Sequence, residues 1–387
     1  MVKKSDIVSY SYKGFRTIAS ALYHLRFDME NAETFSRRWK NIPKHCRIDA
    51  DFFREYKRRW LPWSSSLFLS RRELEVYCHY GNLKSLDYTP WNVWFTTIDP
   101  TLNNKEMAWA YAEKGNYKKL YGIDNEPLSF FRFINGLSYD AIGNLIQEPE
   151  NFFEKELSRQ TKILVKPVID SWGGKNILVF ERDKKGGWQC VNDQVELSFK
   201  KLVVYYQKNF VVQEFLDPHP FYKRFNPTSF NTIRVYAYRS PKDETVHILH
   251  TFLKVGGKGN VVDNIVAGGH AYYILGDGTF LYGRSSDLQI IENVPDDSGQ
   301  LLKEIGKLPG IDEIKDLAAK IALQTPFHRL LAMDMNIDSS GSPRVIELNL
   351  SEAGSPVQIF GKTFLGAFTD EVIEYCKSHK KSDYLKF

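Results

Sequence analysis

The alternation of apolar and polar positions predicts helices in the N-terminal part of the chain. Residues 48–60, IDADFFREYKRRW, place Phe52, Tyr56 and Trp60 at i, i+4 and i+8, which is the spacing of one helix face. Residues 85–102 mix Pro, Thr and aromatic side chains and lead into an Asn pair. That composition predicts a strand followed by a turn.

Short apolar runs dominate residues 161–290. They are rich in β-branched and aromatic side chains and are separated by Gly, Asn and Asp, as in ILVKPV, NILVF, FVVQEFL, TIRVYAY, HILHTFLKV and AYYIL. Helical periodicity returns at 300–324 and 364–377 around two more strand-like runs. We therefore predict an α+β protein, with a domain boundary near residue 110, where the sequence pattern changes from helical periodicity to short strand-like runs.

Composition is that of an ordinary folded protein. The chain has 387 residues, of which 43% are apolar and 26% charged, and this length predicts two or three domains. The four cysteines lie far apart without a Cys-x-x-Cys pair, which argues against structural zinc. Because we find no signal-like N-terminus and no long apolar run, we expect a cytoplasmic protein with reduced thiols.

The net charge of +5 is concentrated near the N-terminus. Residues 1–60 hold 14 Lys and Arg against 7 Asp and Glu. Such a region is commonly a solvated surface, and it can also contact an anionic glycan, a membrane surface or nucleic acid. No zinc, helix-turn-helix or aromatic RNA-binding motif accompanies it, so we expect no nucleic-acid partner.

Residues 329–350, RLLAMDMNIDSSGSPRVIELNL, contain a hairpin with a candidate metal site. If the hairpin is centred in its Ser-Gly-rich turn, Asp334 lies directly across from Glu347, and Asn349 shares the face of Glu347. Two carboxylates and an amide suit Mg²⁺ completed by phosphate oxygens, which implies a nucleotide triphosphate. The alternative is a solvated strand face, although the apolar neighbours favour burial.

A lysine and a glycine-rich loop lie upstream of this hairpin. In ILVKPVIDSWGGKNILVF, Lys166 ends a strand and the loop contains Gly173, Gly174 and Lys175. Backbone N–H groups of such a loop can close over phosphates, and a lysine on a strand supplies a fixed charge. An ordinary hairpin turn is the alternative, and the segment is no Walker A loop because GKS or GKT is missing.

Further polar residues lie in the strand-rich part. Arg234 lies within an apolar strand, where it needs an anionic partner. Lys254 and Asn264 belong to FLKVGGKGNVVDNIVAGGH, whose glycines alone indicate only tight turns. Three residues have both a structural and a substrate-binding interpretation, and for all three the structural one is commoner: His270, Trp91 and Trp94.

The order of these features resembles the ATP-grasp superfamily: a lysine, a Gly-rich loop, a strand ending in Glu, an arginine, and Asp followed by Glu-x-Asn. The segments IDPTLNN, AEKGNYKKLYGIDNEP and FFRFINGLSYD resemble the sugar-transfer-associated ATP-grasp proteins of polysaccharide biosynthesis. The resemblance runs from about residue 50 to the C-terminus. It implies an ATP-grasp domain at 111–387, with lobes at about 111–215 and 216–387, after a basic, helix-rich region at 1–110.

The resemblance also implies roles for individual residues. Gln213 to Leu216 match a hinge whose backbone contacts adenine, and Lys114 matches a phosphate-binding lysine, although Glu113 replaces the usual Asp before it. The implied ATP contacts are Lys114, Lys166, Gly173, Gly174, Lys175, Gln213, Glu214, Phe215, Leu216 and Asn264. The implied catalytic cations are Arg234 and Lys254, and the implied ligands of two Mg²⁺ ions are Asp334, Glu347 and Asn349.

The activity that this resemblance implies is ATP-dependent carboxylate–amine ligation through an acyl phosphate. The expected substrates are a sugar or glycan carboxylate and an amine or amino acid, in capsule or surface polysaccharide biosynthesis. The basic N-terminus is a candidate contact surface for glycosyltransferases or for the inner face of the membrane, with a solvated surface as the commoner alternative. The alternative is a nucleotide-binding accessory protein of a glycosyltransferase system without its own ligase chemistry, and a complete set of metal ligands argues against it.

Overall fold

A computed structural model describes most of the chain. It covers residues 38–169, 176–260, 263, 268–350 and 356–379, together with Leu25, Met29, Phe35 and Ser36. The predicted ATP contacts Gly173, Gly174, Lys175 and Asn264 lie outside the described residues.

Helices occupy the N-terminal part and recur between and after the strands. The α-helices are α1 (Ala50–Trp60), α2 (Arg71–Tyr80), α3 (Trp91–Val93), α4 (Asp99–Leu102), α5 (Lys105–Tyr111), α6 (Tyr117–Tyr121), α7 (Pro149–Leu157), α8 (Phe199–Tyr206), α9 (Pro220–Lys223), α10 (Ile311–Leu323) and α11 (Thr369–His379). A π-helical segment, Trp94–Ile98, joins α3 to α4. Short 3₁₀ helices lie at Lys44–Cys46, Leu302–Glu304, Pro356–Phe360 and Gly366–Phe368.

The helix predicted at residues 48–60 is confirmed. Asp49 caps α1, because its side chain accepts a hydrogen bond from the Phe52 N–H at 2.7 Å. Tyr56 and Trp60 are buried on the inner face of α1. No helix in the described part of the chain is both long and apolar enough to cross a membrane.

The strand predicted within residues 85–102 is wrong, because this segment is helical from Trp91 to Leu102. Thr96 and Thr101 donate to carbonyls four residues back, Asn92 O and Thr97 O, each at 2.6 Å. This bonding satisfies the hydroxyl groups inside a helix. Trp94 and its neighbours are buried on every side, so the sequence lacks a helical period and propensity alone favours a strand.

Thirteen strands in the described residues form two sheets. They are β1 (Ser129–Ile134), β2 (Leu137–Tyr139), β3 (Lys162–Pro167), β4 (Leu178–Arg182), β5 (Trp188–Cys190), β6 (Asn209–Glu214), β7 (Ile233–Arg239), β8 (Val246–Val255), β9 (His270–Ile274), β10 (Phe280–Ser285), β11 (Ile290–Ile291), β12 (Leu330–Ile337) and β13 (Pro343–Asn349). The first sheet has the order β2-β1-β6-β3-β4-β5, and the second has β11-β10-β9-β8-β7-β12-β13. Antiparallel sheets with separate helices confirm the α+β class.

One face of the six-stranded sheet belongs to an apolar core, and the opposite face is called here the polar face because Lys162 and Lys166 of β3 lie on it among apolar neighbours. Ile163 and Val165 of β3 belong to an apolar core that also includes Phe153 of α7 and Leu202 of α8. Alternation along β3 places Lys166 on the opposite face. That opposite face is therefore available to a polar site.

The seven-stranded sheet is covered on both faces. Helix α10 packs on one face, and α5 and α6 contribute side chains to the same core. On the other face, the N-terminal helices and the residues after β13 pack over aromatic side chains of β7, β8 and β9. The lobe boundaries near residues 110 and 215 remain a proposal, and the packing of α5 and α6 places residues 105–121 with the second sheet.

The predicted hairpin is formed by β12 and β13. Asp334 is directly paired with Glu347, and Ala332 is paired with Asn349. The register shifts by one residue just after Asp334, so a bulge lies beside the predicted metal ligands.

Candidate active site

Two buried lysines from the first part of the chain meet the hairpin. Lys114 Nζ lies 2.9 Å from Glu347 Oε1, and Lys166 Nζ donates to Ile346 O at 3.4 Å. Each lysine is 4% exposed. Lys114 is held in place because its N–H donates to Val168 O, just after β3, at 3.0 Å.

The pKa of Lys166 is lowered to about 7. Burial is the largest cause because it disfavours the ammonium, and the nearby charge of Lys114 adds to it. The carboxylates of Glu347 and Glu126 act in the opposite direction and only partly offset this. A buried lysine beside another cation is a strong candidate for an anion contact.

A second charged group lies directly beside the first on the sheet. Arg234 forms a bidentate pair with Asp334, with both N–O distances at 2.7 Å, and Lys254 Nζ lies 3.0 Å from Asp334 Oδ2. Burial alone would raise the pKa of Asp334, but Arg234 and Lys254 outweigh it and hold that pKa well below its usual range. Asp334 is therefore ionised at neutral pH.

The strand register explains why these groups meet. Arg234, Asp334 and Glu347 stand opposite one another on β7, β12 and β13. Asn349 lies two residues beyond Glu347 on the same face. The Nδ2 atom of Asn349 is buried and has no hydrogen-bond partner among the residues of known position.

The outer edge of β13 is bonded to the segment that carries Lys114. Val345 N–H donates to Asn125 O, and Asn125 Nδ2 donates to Pro343 O, both at 2.9 Å. Leu348 N–H donates to the buried hydroxyl of Tyr117 at 3.2 Å. An edge strand of the second sheet is thus joined to the first part of the chain along its length.

A cavity of about 500 Å³ lies beside the predicted hinge. Its lining comes from the polar face of the six-stranded sheet, from the hinge and from loops of the second sheet, and includes Lys162, Val179, Asn192, Phe215, Asp217, Thr228 and Asn260. Lys162 Nζ stands 4.2 Å over the Phe215 ring. The cavity and Lys166 therefore share one face of β3 and lie roughly 13 Å apart along it.

The predicted hinge residues differ in their surroundings. Phe215 lines the cavity, and the Oε1 atom of buried Gln213 has no partner among the described groups. Glu214 is already engaged, because its Oε1 accepts from Leu128 N–H at 2.9 Å and from Arg344 Nη2 at 3.0 Å.

Trp94 is fully buried in the core, whereas His270 is half-buried with an unpartnered Nδ1 in the described structure.

Sequence reasoning missed two residues that the structure brings to the site. Arg344 lies in an apolar strand, and the argument used for Arg234, that such an arginine needs an anion, applies equally to it. Tyr117 gives no comparable signal, because a tyrosine in a short helix is usually a core residue.

The geometry brings together Lys114, Lys166, Arg234, Lys254, Asp334, Glu347 and Asn349. Such a cluster can bind a polyanion and, through its carboxylate and amide oxygens, a hard divalent cation. In the described part of the chain, no three His, Cys, Asp or Glu side chains converge as a metal site. The two carboxylates are instead paired with the cations.

Comparison with known proteins identifies a family. The model of the sugar-transfer-associated ATP-grasp family matches residues 107–372 of the 387. No curated protein is significantly similar to the chain.

Several solved structures with partial similarity are named as ligases or synthetases. The ATP-grasp ligase PsnB with its minimal precursor is 15% identical, with a TM-score of 0.38, over 70% of this chain and 63% of its own. The L-amino acid ligase from Bacillus licheniformis is 14% identical (TM-score 0.34; 72% and 49% coverage). D-alanyl-alanine synthetase A from Vibrio cholerae is 11% identical (TM-score 0.36; 72% and 65%). The chain thus spans less than two thirds of each.

Proposed function

Because the chain belongs to the sugar-transfer-associated ATP-grasp family and has the ATP-grasp fold, we propose that it is an ATP-dependent carboxylate–amine ligase that works through an acyl phosphate. One observation carries this proposal. Buried Lys114 forms an ion pair with Glu347, and buried Lys166 bonds to the neighbouring Ile346 O, beside the Arg234–Asp334–Lys254 group. This arrangement suits phosphoryl transfer, where catalysis rests on positioning and charge stabilisation.

We place the nucleoside of ATP in the cavity beside Phe215. Its volume of about 500 Å³ lies within the usual range for small-molecule sites. The phosphates then extend along the polar face of β3 toward Lys166 and Lys114. The two lysines supply fixed positive charge in a site that excludes water, where such charge acts strongly.

The donor set fits Mg²⁺. Asp334, Glu347 and Asn349 lie on one sheet face and can offer oxygen ligands, and within the described part of the chain the Nδ2 of Asn349 has no partner that fixes the amide orientation. We propose that these three residues hold two ions when nucleotide is present. Bound Mg²⁺ would neutralise phosphate charge.

The chain's own residues would then act on the transferred group. A substrate carboxylate oxygen attacks the γ-phosphorus, the bond to the β-phosphate oxygen breaks, and ADP leaves. The amine then attacks the acyl carbon, loses a proton and displaces phosphate. Arg234 uses Nε and Nη2 for Asp334, and the Tyr236 side chain also bonds to its guanidinium. We propose that the charge of Arg234, with Lys254 beside it, stabilises the transferred phosphoryl group.

We propose a sugar or glycan carboxylate and an amine or amino acid as substrates. The family's association with sugar transfer supports this choice. The corresponding setting is capsule or surface polysaccharide synthesis on the cytoplasmic side of the membrane. The positive charge of residues 1–60 would favour contact with anionic lipid or with a glycosyltransferase.

The products decide the reaction class. With ATP, Mg²⁺, an amine and a panel of uronic acids and uronic-acid glycans, the proposal predicts ADP and phosphate. Hydroxylamine should trap the acyl phosphate as a hydroxamate, and Arg234→Ala should reduce that yield more than it weakens ATP binding. Formation of AMP, or carboxylate-independent turnover, would reject the acyl-phosphate route, and no turnover with any of the panel would favour the accessory-protein alternative.

A further inference from the structure

Arg344 of β13 joins three separate parts of the molecule. Its Nε donates to Asp338 Oδ2, in the β12–β13 turn, at 2.7 Å. Its Nη2 donates to Glu214 Oε1, at the end of β6, at 3.0 Å. Its Nη1 donates to Glu126 O at 3.3 Å. All three nitrogens of one guanidinium are therefore bonded to different segments.

The position of Arg344 relates the two ends of the proposed nucleotide site. Glu214 belongs to the hinge beside the cavity, and Glu347 lies three residues beyond Arg344, roughly 10 Å along the same strand. Asp338 also accepts hydrogen bonds from Ser340 N–H at 2.9 Å and Ser342 N–H at 3.1 Å. The arginine thus ties an ordered turn, and with it β13, to the hinge.

A guanidinium is suited to this task because its donors are fixed in one plane. Its bonds therefore restrict both distance and angle, whereas a lysine ammonium would give a single point of attachment. The backbone of β13 is held on either side of Arg344, because Val345 N–H donates to Asn125 O and Pro343 O accepts from Asn125 Nδ2. Arg344 adds the bond to the hinge that these backbone contacts do not make.

We propose that Arg344 is a positioning residue that sets the distance between the nucleoside-binding hinge and the metal-binding residues Glu347 and Asn349. The inference rests on the proposed nucleotide site and adds a requirement to it. One nucleotide can contact the hinge through its nucleoside and the bound Mg²⁺ through its phosphates only if the hinge and the metal-binding residues are correctly spaced. Loss of Arg344 should therefore reduce the nucleotide affinity measured with Mg²⁺ more than the affinity measured without metal.

Calorimetry with ADP, in Mg²⁺ and in EDTA, tests this. In Arg344→Ala we expect the ratio of the metal-free to the Mg²⁺ dissociation constant to fall at least about tenfold, which is about 1.4 kcal/mol. Metal-free ADP should bind within about threefold of wild type. Arg344→Lys should restore little of the ratio, since one ammonium cannot span three acceptors.

Arg224→Ala is the matched control. Arg224 forms a similar partly exposed pair with Asp296 at 2.7 Å, and neither residue lines the cavity or bonds to Arg344. Its loss should leave the ratio unchanged. Glu214→Gln, which keeps the shape of the hinge, should lower the ratio by a smaller factor and serves if Arg344→Ala fails to fold.

The outcomes separate the two proposals. A wild-type protein that binds ADP with Mg²⁺ enhancement, and an Arg344→Ala variant with the same enhancement, would overturn the role of Arg344 alone. Equal losses of both affinities, or full recovery in Arg344→Lys, would also overturn it. A wild-type protein that binds neither form of ADP would contradict the nucleotide site and the positioning role together.

Discussion

One face of the seven-stranded sheet is aromatic at one end and charged at the other. On β7, Tyr236 and Tyr238 pack in the aromatic core with the N-terminal helices, whereas Arg234, two residues earlier, faces Asp334. In the aromatic half, Trp94 and Phe364 meet edge to face at 4.7 Å between ring centroids. The boundary between the aromatic core and the candidate site therefore lies between Arg234 and Tyr236, two residues apart on β7.

The aromatic and charged halves of this sheet face contribute differently to folding stability. Burial of aromatic surface stabilises the fold directly. Burial of Arg234, Lys254 and Asp334 costs desolvation that their mutual attraction roughly offsets, so replacement by apolar residues would often be neutral for stability. Charges kept at such a location are better explained by a ligand than by stability.

The largest expected effect lies in the aromatic half. Trp94→Ala should lower the free energy of unfolding by about 4 kcal/mol, because it leaves a large cavity. Nucleotide affinity of the folded variant should stay within about threefold. Urea unfolding measures the first quantity and calorimetry the second.

Trp109→Ala is the control for this change. Trp109 is 45% exposed, so its removal should cost less than about 1 kcal/mol. A large loss of nucleotide affinity in folded Trp94→Ala would show that the two halves are not independent.

Within the charged half, neutralising Asp334 should destabilise the protein more than neutralising Glu347. Asp334→Asn removes the negative charge that neutralises buried Arg234 and Lys254, and should destabilise the protein by about 3 kcal/mol. Glu347 forms an ion pair with buried Lys114, but its own side chain is 30% exposed and water partly screens the pair, so Glu347→Gln should cost about 1 to 2 kcal/mol, less than Asp334→Asn. Both changes should reduce Mg²⁺-dependent nucleotide binding. Equal destabilisation by the two variants would contradict this distinction.

The contrast between the halves also shows which structural features can be predicted from the sequence. The cross-strand pairing of Asp334 with Glu347 follows from strand alternation and the turn, and the structure confirms it. The helix at Trp94 could not be predicted in the same way, because a segment buried on all sides has no period. Its conformation is set by tertiary packing rather than by local preference.

Only part of the candidate site can be predicted from local sequence. The spacing of Asp334, Glu347 and Asn349 is local and can be read along one hairpin. The contact of Lys114 with Glu347 joins positions 233 residues apart, and no periodicity reports such a distance. The bonding of Glu214 to Arg344 likewise depends on how the two sheets meet. The predicted roles of these residues stay predictions.

A smaller effect is expected at Lys166. Lys166→Met keeps the length of the side chain and removes its charge, so Mg-ATP affinity should fall at least tenfold, about 1.4 kcal/mol. Stability should not fall, because burial disfavours the charged lysine in the folded protein. Lys200→Met, at an exposed lysine, should change neither quantity. Unchanged affinity in Lys166→Met would remove this lysine from the phosphate site.

The smallest expected effect is a proton uptake at the same lysine. The pKa of Lys166 is lowered to about 7 from 10.5, so the unfolded chain binds more protons between these values. The cost of Lys166 to stability is therefore full below pH 7 and fades as the pH rises. At pH 8 the side chain is mostly neutral, and a bound polyphosphate favours its charged form, so binding should take up a large fraction of one proton. At pH 6 the uptake should approach zero. Binding heats in buffers of different ionisation enthalpy measure it, and an uptake at pH 8 that persists in Lys166→Met would assign the proton to another group.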